Sequence, residues 1–457
     1  MKFLNDIKLI GLHVLIAIAV YIIPVLSNVY LLSIFVYFFF RIIKSPIKGK
    51  TLEILLACGY IIGAEVFIRM TGGSLLYEAS KYMVIFFSIV GIISTRISQK
   101  SFVYVLYLLL LIPGIFVTGF NQTTETIIRK AIAFNLSGPV CLGFVAIFCY
   151  QKAIMYSSFQ KLLLYIGLPL ISTTTYLFLY NPSVSEVISS TGSNYSTSGG
   201  FGPNQVATVL GLGMFIFCVR FFSKAPYKLF KIINVFLLVV ISFRAIVTFS
   251  RGGIFVAIIM MAFFILFYYK KSTGKNRKRV GLLTTLFIVL GLSIWALSSI
   301  ETGGFIDKRY NNEDALGREK KDISTGRTDL MAFELNAFLE NPFLGIGVGK
   351  SKELRFEKTG VKAASHNEMS RILSEHGLFG LFAFGILFIT PLLFRIRDKS
   401  NIFFYSFFLF WFLTINHSSM RIAAPAFVYG LCLLSINYKE PSIREKREQL
   451  LKSRLEG

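Results

Sequence analysis

Charge is what this chain has least of: 16% of its 457 residues are Asp, Glu, Lys or Arg, and 24 acidic residues face 48 basic ones. With 54% hydrophobic and 15% aromatic residues and a mean hydropathy of +0.65, that balance excludes an ordinary soluble domain. Cysteine is scarce as well. Cys58, Cys141, Cys149, Cys218 and Cys432 lie in apolar stretches without zinc-type spacing or a disulfide framework, which leaves packing as their role. His13, His376 and His417 share no ligand spacing with His366, so no metal site and no cofactor is expected.

What the chain has in plenty is apolar runs long enough to cross a bilayer core of about 30 Å. They fall at about 9–27, 29–43, 52–69, 82–96, 102–119, 131–150, 161–180, 205–223, 229–249, 253–269, 280–298, 377–394, 401–416 and 422–437. The fold class expected is therefore an all-α integral membrane protein with about fourteen transmembrane helices and one large periplasmic loop. Lys2 and Lys8 precede the first run, but Pro24 to Asn28 close it without a small-residue cleavage site, which marks an uncleaved first helix. A net charge of +24 would ordinarily raise nucleic acid as a partner. The basic residues instead concentrate in short alternate connectors such as Arg41 to Lys50, Lys270 to Arg279 and Arg395 to Lys399. That pattern encodes topology, with cytoplasmic termini and an attraction to anionic membrane lipids, and leaves no role for nucleic acid.

Five regions follow. Residues 1–200 form the N-terminal transmembrane helices, 201–298 a second helical set, 299–375 the loop subdomain, 376–438 the C-terminal helices, and 439–457 a basic cytoplasmic tail. The 299–375 segment is far longer than a usual connection, and its 12 basic and 13 acidic residues give it the mixed charge of a small soluble subdomain. Within it, Asp329 to Asn341 carries Leu330, Phe333 and Phe338 at helical spacing and ends at Pro342, an amphipathic helix suited to the rim of a helix bundle. Gly345, Gly347 and Gly349 lack the strand and helix context of a phosphate cradle and read as a turn. Ser365 and Glu368 have the spacing of a capping box, which would begin a helix at Ser365 and put His366 on its first turn.

Three positions can carry chemistry, and one charged pair is weighed beside them. Arg251 sits between two apolar spans and has no acidic neighbour in sequence, so it suits a phosphate, although a snorkelling role is the plain alternative. Arg244 lies inside the ninth span, where an unpaired charge costs several kcal/mol. Seven residues before Arg251, it would share a helix face with it about 10 Å away and help guide a lipid pyrophosphate; an ion pair with Glu65 is the structural alternative. Glu65 and Arg69 are four apart and can pair with each other. His366 is the candidate general base, because a helix N-terminus disfavours imidazolium and keeps the ring able to accept a proton; otherwise it merely solvates the helix end.

Three segments resemble the O-antigen ligase family, whose C-terminal domain is shared with surface-polysaccharide polymerases. They are Phe249-Ser250-Arg251-Gly252-Gly253, then Gly326-Arg327-Thr328-Asp329 with Glu340 to Gly347, then Ser365-His366-Asn367-Glu368 leading to Glu375-His376-Gly377. Gly202-Pro203-Asn204-Gln205 resembles the family's Pro-Asn motif before a span. The resemblance covers about 200–390. It implies a metal-independent glycosyltransferase of the bacterial inner membrane, taking a glycan from undecaprenyl pyrophosphate to lipid A core or another glycan acceptor at the periplasmic face. Carried over by motif, Arg251 and Arg327 would hold the pyrophosphate and His366 would activate the acceptor hydroxyl, with Asn204, Ser250 and Asn367 in support. Arg244 has no place in that pattern. A polymerase joining lipid-linked repeat units, or transfer to Ser or Thr of exported proteins, would use the same constellation. A flippase or transporter is the reading of another class, but it would be expected to show related halves, and no internal repeat is visible.

Overall fold

The computed structural model describes residues 2–73, 76–120, 128–223, 227–320, 322, 326–360, 363 and 365–438. The expected basic tail, 439–457, lies outside the described residues. The first half of the chain runs α1 (Lys2–Ile22), α2 (Leu26–Lys44), α3 (Ile47–Met70), α4 (Ala79–Ser94), α5 (Phe102–Leu110), α6 (Ile112–Phe120), α7 (Ile128–Cys149), β1 (Ala153–Met155) and α8 (Tyr156–Tyr180). Then come α9 (Pro203–Phe222), α10 (Lys228–Ile246), α11 (Arg251–Lys271), α12 (Gly274–Glu301), α13 (Phe305–Tyr310), α14 (Arg327–Glu340) and α15 (Ser351–Thr359). The chain closes with α16 (Glu368–Arg397), α17 (Phe404–Ser418), α18 (Ala424–Cys432) and β2 (Ser435–Asn437).

Ten helices among the described residues are long and apolar enough to cross a membrane, which makes this a multi-pass membrane protein. Of the expected spans, those at α1, α4, α17 and α18 fall outside that set; the last three have 16, 15 and 9 residues. The all-α expectation also needs one amendment. The final run leaves helix after Cys432, and β2 pairs in parallel with β1 through Ala153–Ser435, Ile154–Ile436 and Met155–Asn437. The expected 102–119 span breaks between α5 and α6 because Pro113 has no amide to give to Leu109.

The bundle is organised around α9, in which every side chain from Gln205 to Phe222 is buried, as expected for a helix that is apolar all round. It packs on α8, α10 and α11. Small residues allow the closest approach: a Cβ on Gly253 of α11 would meet Ala207 of α9 at 2.6 Å, and one on Gly211 would meet the Gly253 carbonyl at 2.8 Å. That contact sets the start of α11 against the start of α9. At the periphery, α12 exposes Leu282, Leu286, Ile288, Leu292 and Ile300, the apolar band of a lipid-facing helix.

The connection between α12 and α16 carries the three short helices α13, α14 and α15, and α14 and α15 both pack on α16. Helix α14 forms over the stretch expected to be amphipathic and turns Glu334 and Ala337 inward while Leu339 stays exposed. Helix α16 is broken at Gly377 (φ 60°, ψ −137°). The break frees the carbonyls of Ser374 and Glu375, which accept the amides of Ile346 and Gly347 at 2.8 and 3.2 Å, while Gly349 donates to the Glu375 carboxylate at 2.8 Å. The three glycines have φ of 72°, 94° and 80°, and a Cβ on Gly345 would come within 2.5 Å of the Glu375 backbone. Their amides are spent inside the fold, so the run is a strap across the break in α16 and not a phosphate cradle.

Candidate active site

At the end of the bundle covered by this connection, three turns bring together residues distant in sequence. The first turn joins α10 to α11. Phe249 adopts φ 60°, and Ser250 donates its hydroxyl to the Asn204 side-chain carbonyl at 2.8 Å, linking the Ser-Arg-Gly and Pro-Asn motifs. Arg251 is then the first residue of α11, half-buried, with Nη1 3.4 Å from the carbonyl of Arg309. Gly252 must be glycine, since a Cβ there would overlap the ring of His417.

The second contribution comes from α13 and α14. Arg309 is buried, and its Nε donates to the carbonyl of Phe249 at 3.1 Å. Burial, Arg251 and Arg327 together pull its guanidinium down to about 10. Tyr310 stacks edge-on against Trp295, and burial pushes its hydroxyl up to about 12. Lys320 donates to Thr191 at 2.6 Å and is shifted down by burial and by Arg309 and Arg251. Arg327 opens α14 after Gly326, whose φ is 78°; burial lowers it, with further repulsion from Arg251 and Arg421.

The third contribution is the Ser365–Asn367 stretch and the turn between α17 and α18. Here the structure corrects the capping-box expectation. Helix α16 begins at Glu368, and its cap is Asn367, whose side chain accepts the Ser370 amide at 3.1 Å. Ser365 is diverted to Glu334 of α14, and the Glu368 carboxylate is committed to Arg371 and to the amide of Met420. His366 therefore precedes the cap and does not sit on the first turn. Glu334 is the hub of this region: it receives the hydroxyl of Ser370 at 2.6 Å and the guanidinium of Arg355 at 2.9 Å. Arg421 donates Nη2 to the Ser365 carbonyl at 2.6 Å. Two buried carboxylates fix the turn that carries Arg421: Glu65 accepts the Ala423 amide at 2.6 Å and Glu368 that of Met420 at 3.3 Å, while Arg69 donates to the Arg421 carbonyl at 3.0 Å.

A cavity of about 120 Å³ lies among these parts, lined by Arg327, Met331, Glu334, His366, Asn367 and Asn416. Burial, then Arg421, Arg327 and Arg355, lower His366 to about 4, so the ring is a neutral proton acceptor at neutral pH. The reason differs from the helix-end argument: desolvation and neighbouring guanidinium groups suppress the imidazolium.

The structure thus gathers Arg251, Arg327, His366, Asn367, Ser250 and Asn204 at one end of the bundle, but it does not place Arg244 as the seven-residue spacing predicts. The helix ends at Ile246, so Arg244 and Arg251 share no helix face. Arg244 packs its guanidinium 3.9 Å from the Phe178 ring centroid and donates to the Asn181 carbonyl at 2.7 Å. Nor does it pair with Glu65, which bonds Arg69 at 2.6 Å. Among the described residues, no group of three or more His, Cys, Asp or Glu could hold a metal ion.

Sequence reasoning passes over Arg309, Arg421 and Glu334. Arg421 had one available signal: a basic residue in a short connector on the face that the charge rule assigns to the outside. Arg309 is hidden among the mixed charges of its loop, and the hub role of Glu334 depends on tertiary contacts.

No curated protein matches the chain. Residues 236–385 match the family model described as O-antigen ligase, a stretch that contains Arg251, Arg309, Arg327, His366 and the break at Gly377. That segment, about a third of the chain, is what makes the protein similar to the O-antigen ligase family.

Proposed function

We propose that the chain transfers a glycan from a lipid-linked pyrophosphate donor, of the undecaprenyl type, to a hydroxyl of an acceptor glycan at the outer face of the cytoplasmic membrane. The observation that carries this reading is the set of guanidinium groups around His366. Among the described residues, Arg309, Arg327 and Arg421 have no carboxylate within ion-pair distance, and they depress one another or their neighbours. Like charges held wholly or partly out of water without counter-ions are costly unless an anion completes them. A pyrophosphate is the anion whose geometry a cluster of guanidinium forks matches.

In this reading the acceptor oxygen attacks the anomeric carbon, its proton passes to His366, and the bond from that carbon to the pyrophosphate oxygen breaks. The lipid pyrophosphate leaves with the bonding electron pair, and its added charge is met by Arg251, Arg309, Arg327 and Arg421. The arginines would then do the charge stabilisation that a divalent ion performs elsewhere. The outer face follows from charge: the opposite end of the bundle carries Lys270 to Arg279 and Arg395 to Lys399, the basic connectors of a cytoplasmic side.

The test uses purified protein in lipid nanodiscs with an undecaprenyl-pyrophosphate-linked oligosaccharide and a glycan acceptor. Joined product should form without nucleotide or ion gradient and persist in the presence of a chelator. Absence of product with movement of the intact donor across the bilayer would favour a transporter instead.

A further inference from the structure

Beyond the Ser365–Asn367 stretch lies a larger, half-open hollow, about 940 Å³, bordered by the 76–82 region, the start of α7, α15, the start of α16 and the turn before α18. Its size is at the upper end of ligand pockets, about 300–1,000 Å³. Four aromatic side chains from four places line it: Tyr77, Tyr82, Phe134 and Phe356. Tyr77 is fixed between the Arg69 guanidinium, 4.4 Å from its ring centroid, and Phe134 at 6.2 Å.

The remaining wall sets Leu76, Ala131, Ala133 and Met420 beside polar groups held by hydrogen bonds and ion pairs. Glu78 bonds Lys81 at 2.6 Å and Ser137 at 3.0 Å; it is 6% exposed, and its Oε1 has no hydrogen-bond partner among the described residues. Such an atom points to a donor brought by a ligand. Arg421 and Ser365 line the same hollow, so it meets the arginine cavity at the residue before His366.

A polyprenyl tail would find fixed charges against its methylenes, at a desolvation cost to each. Ring faces beside oriented carboxylates and guanidinium groups suit a molecule with apolar C–H faces and many hydroxyls. Building on the transfer reaction above, we infer that this chamber binds the acceptor, a polyhydroxylated glycan, whose attacking hydroxyl reaches His366 past Ser365 while the donor pyrophosphate occupies the arginine side.

Ala133, on the chamber wall, allows it to be filled, and the half-exposed Phe356 allows a stacking face to be removed with little risk to folding. Wild-type protein, Ala133→Trp and Phe356→Ala in nanodiscs are titrated with undecaprenyl pyrophosphate. The same variants are expressed in host cells deleted for their own copy, where joined glycan and unconsumed lipid-linked glycan are measured. Affinity for undecaprenyl pyrophosphate should stay within about twofold of wild type while transfer falls about tenfold or more. A parallel loss of affinity for undecaprenyl pyrophosphate would make the chamber the seat of the lipid tail and overturn the inference. Undiminished transfer by both variants would show that it holds no substrate. Failure of the wild-type protein to bind undecaprenyl pyrophosphate would remove the pyrophosphate reading and this inference with it.

Discussion

Two sets of basic residues occupy the same end of the bundle and are treated in opposite ways. Arg69, Lys81 and Arg371 are buried and matched with Glu65, Glu78, Glu368 and Glu375. Arg309, Arg327 and Arg421 have no carboxylate at ion-pair distance among the described residues, and Arg309 and Arg421 donate to backbone carbonyls and a serine hydroxyl. The matched set builds the scaffold, and on the proposed reading the other set holds its charge for the pyrophosphate. The two meet in the α17–α18 turn, where Glu65, Arg69 and Glu368 hold the backbone on either side of Arg421. Paired charges thereby aim an unpaired one.

The comparison can be broken in several places. The largest effect is expected from Arg371→Ala, which strands Glu368 and Glu375 in the interior. Removing one partner of a buried pair costs about 3–5 kcal/mol, so thermal unfolding in detergent should show a large loss of stability. His366→Ala should fold normally and lower turnover by about a hundredfold or more while leaving carrier affinity near wild type. A wild-type turnover in this variant would move the base elsewhere.

The pH dependence sharpens the same point. Because His366 is lowered to about 4, it is deprotonated and competent above that value, and kcat/KM should fall only as pH drops through about 4. Bound pyrophosphate offsets the guanidinium groups and favours imidazolium, so the acid limb of kcat should lie at higher pH than that of kcat/KM. Coincident limbs would argue that no anion sits beside the ring.

Arg327→Ala comes next, with carrier affinity reduced about tenfold to a hundredfold for the loss of one charge-assisted contact. The smallest effect is expected at Arg244→Met, since Arg244 packs on Phe178, donates only Nη2 to the Asn181 carbonyl and does not line the cavity beside His366. Carrier affinity should be unchanged, and any loss should appear in stability.

Much of the helix layout is legible in the sequence because hydropathy over twenty residues is a strong signal, and α14 and its stop at Pro342 follow from periodicity. The breaks are harder to see. Pro113 announces the α5–α6 interruption, whereas the one at Gly377 depends on the Gly345–Gly349 strap taking up the freed carbonyls. The capping-box expectation failed because Ser365 had a tertiary competitor, Glu334, and a better-placed rival in Asn367. The face shared by Arg244 and Arg251 was inferred from a continuous helix that the Phe249 turn interrupts. Arg251, Arg327 and His366 could be named from their motifs, but the cluster they form with Arg309 and Arg421 needed the fold.

Equilibrium titration of the nanodisc-embedded protein with undecaprenyl pyrophosphate tests the central distinction most directly. The Arg251→Ala, Arg327→Ala double variant should bind about a hundredfold or more weakly than wild type, and Arg244→Met should bind as wild type does. Equal affinities in all three proteins would contradict the assignment of Arg251 and Arg327 to a pyrophosphate.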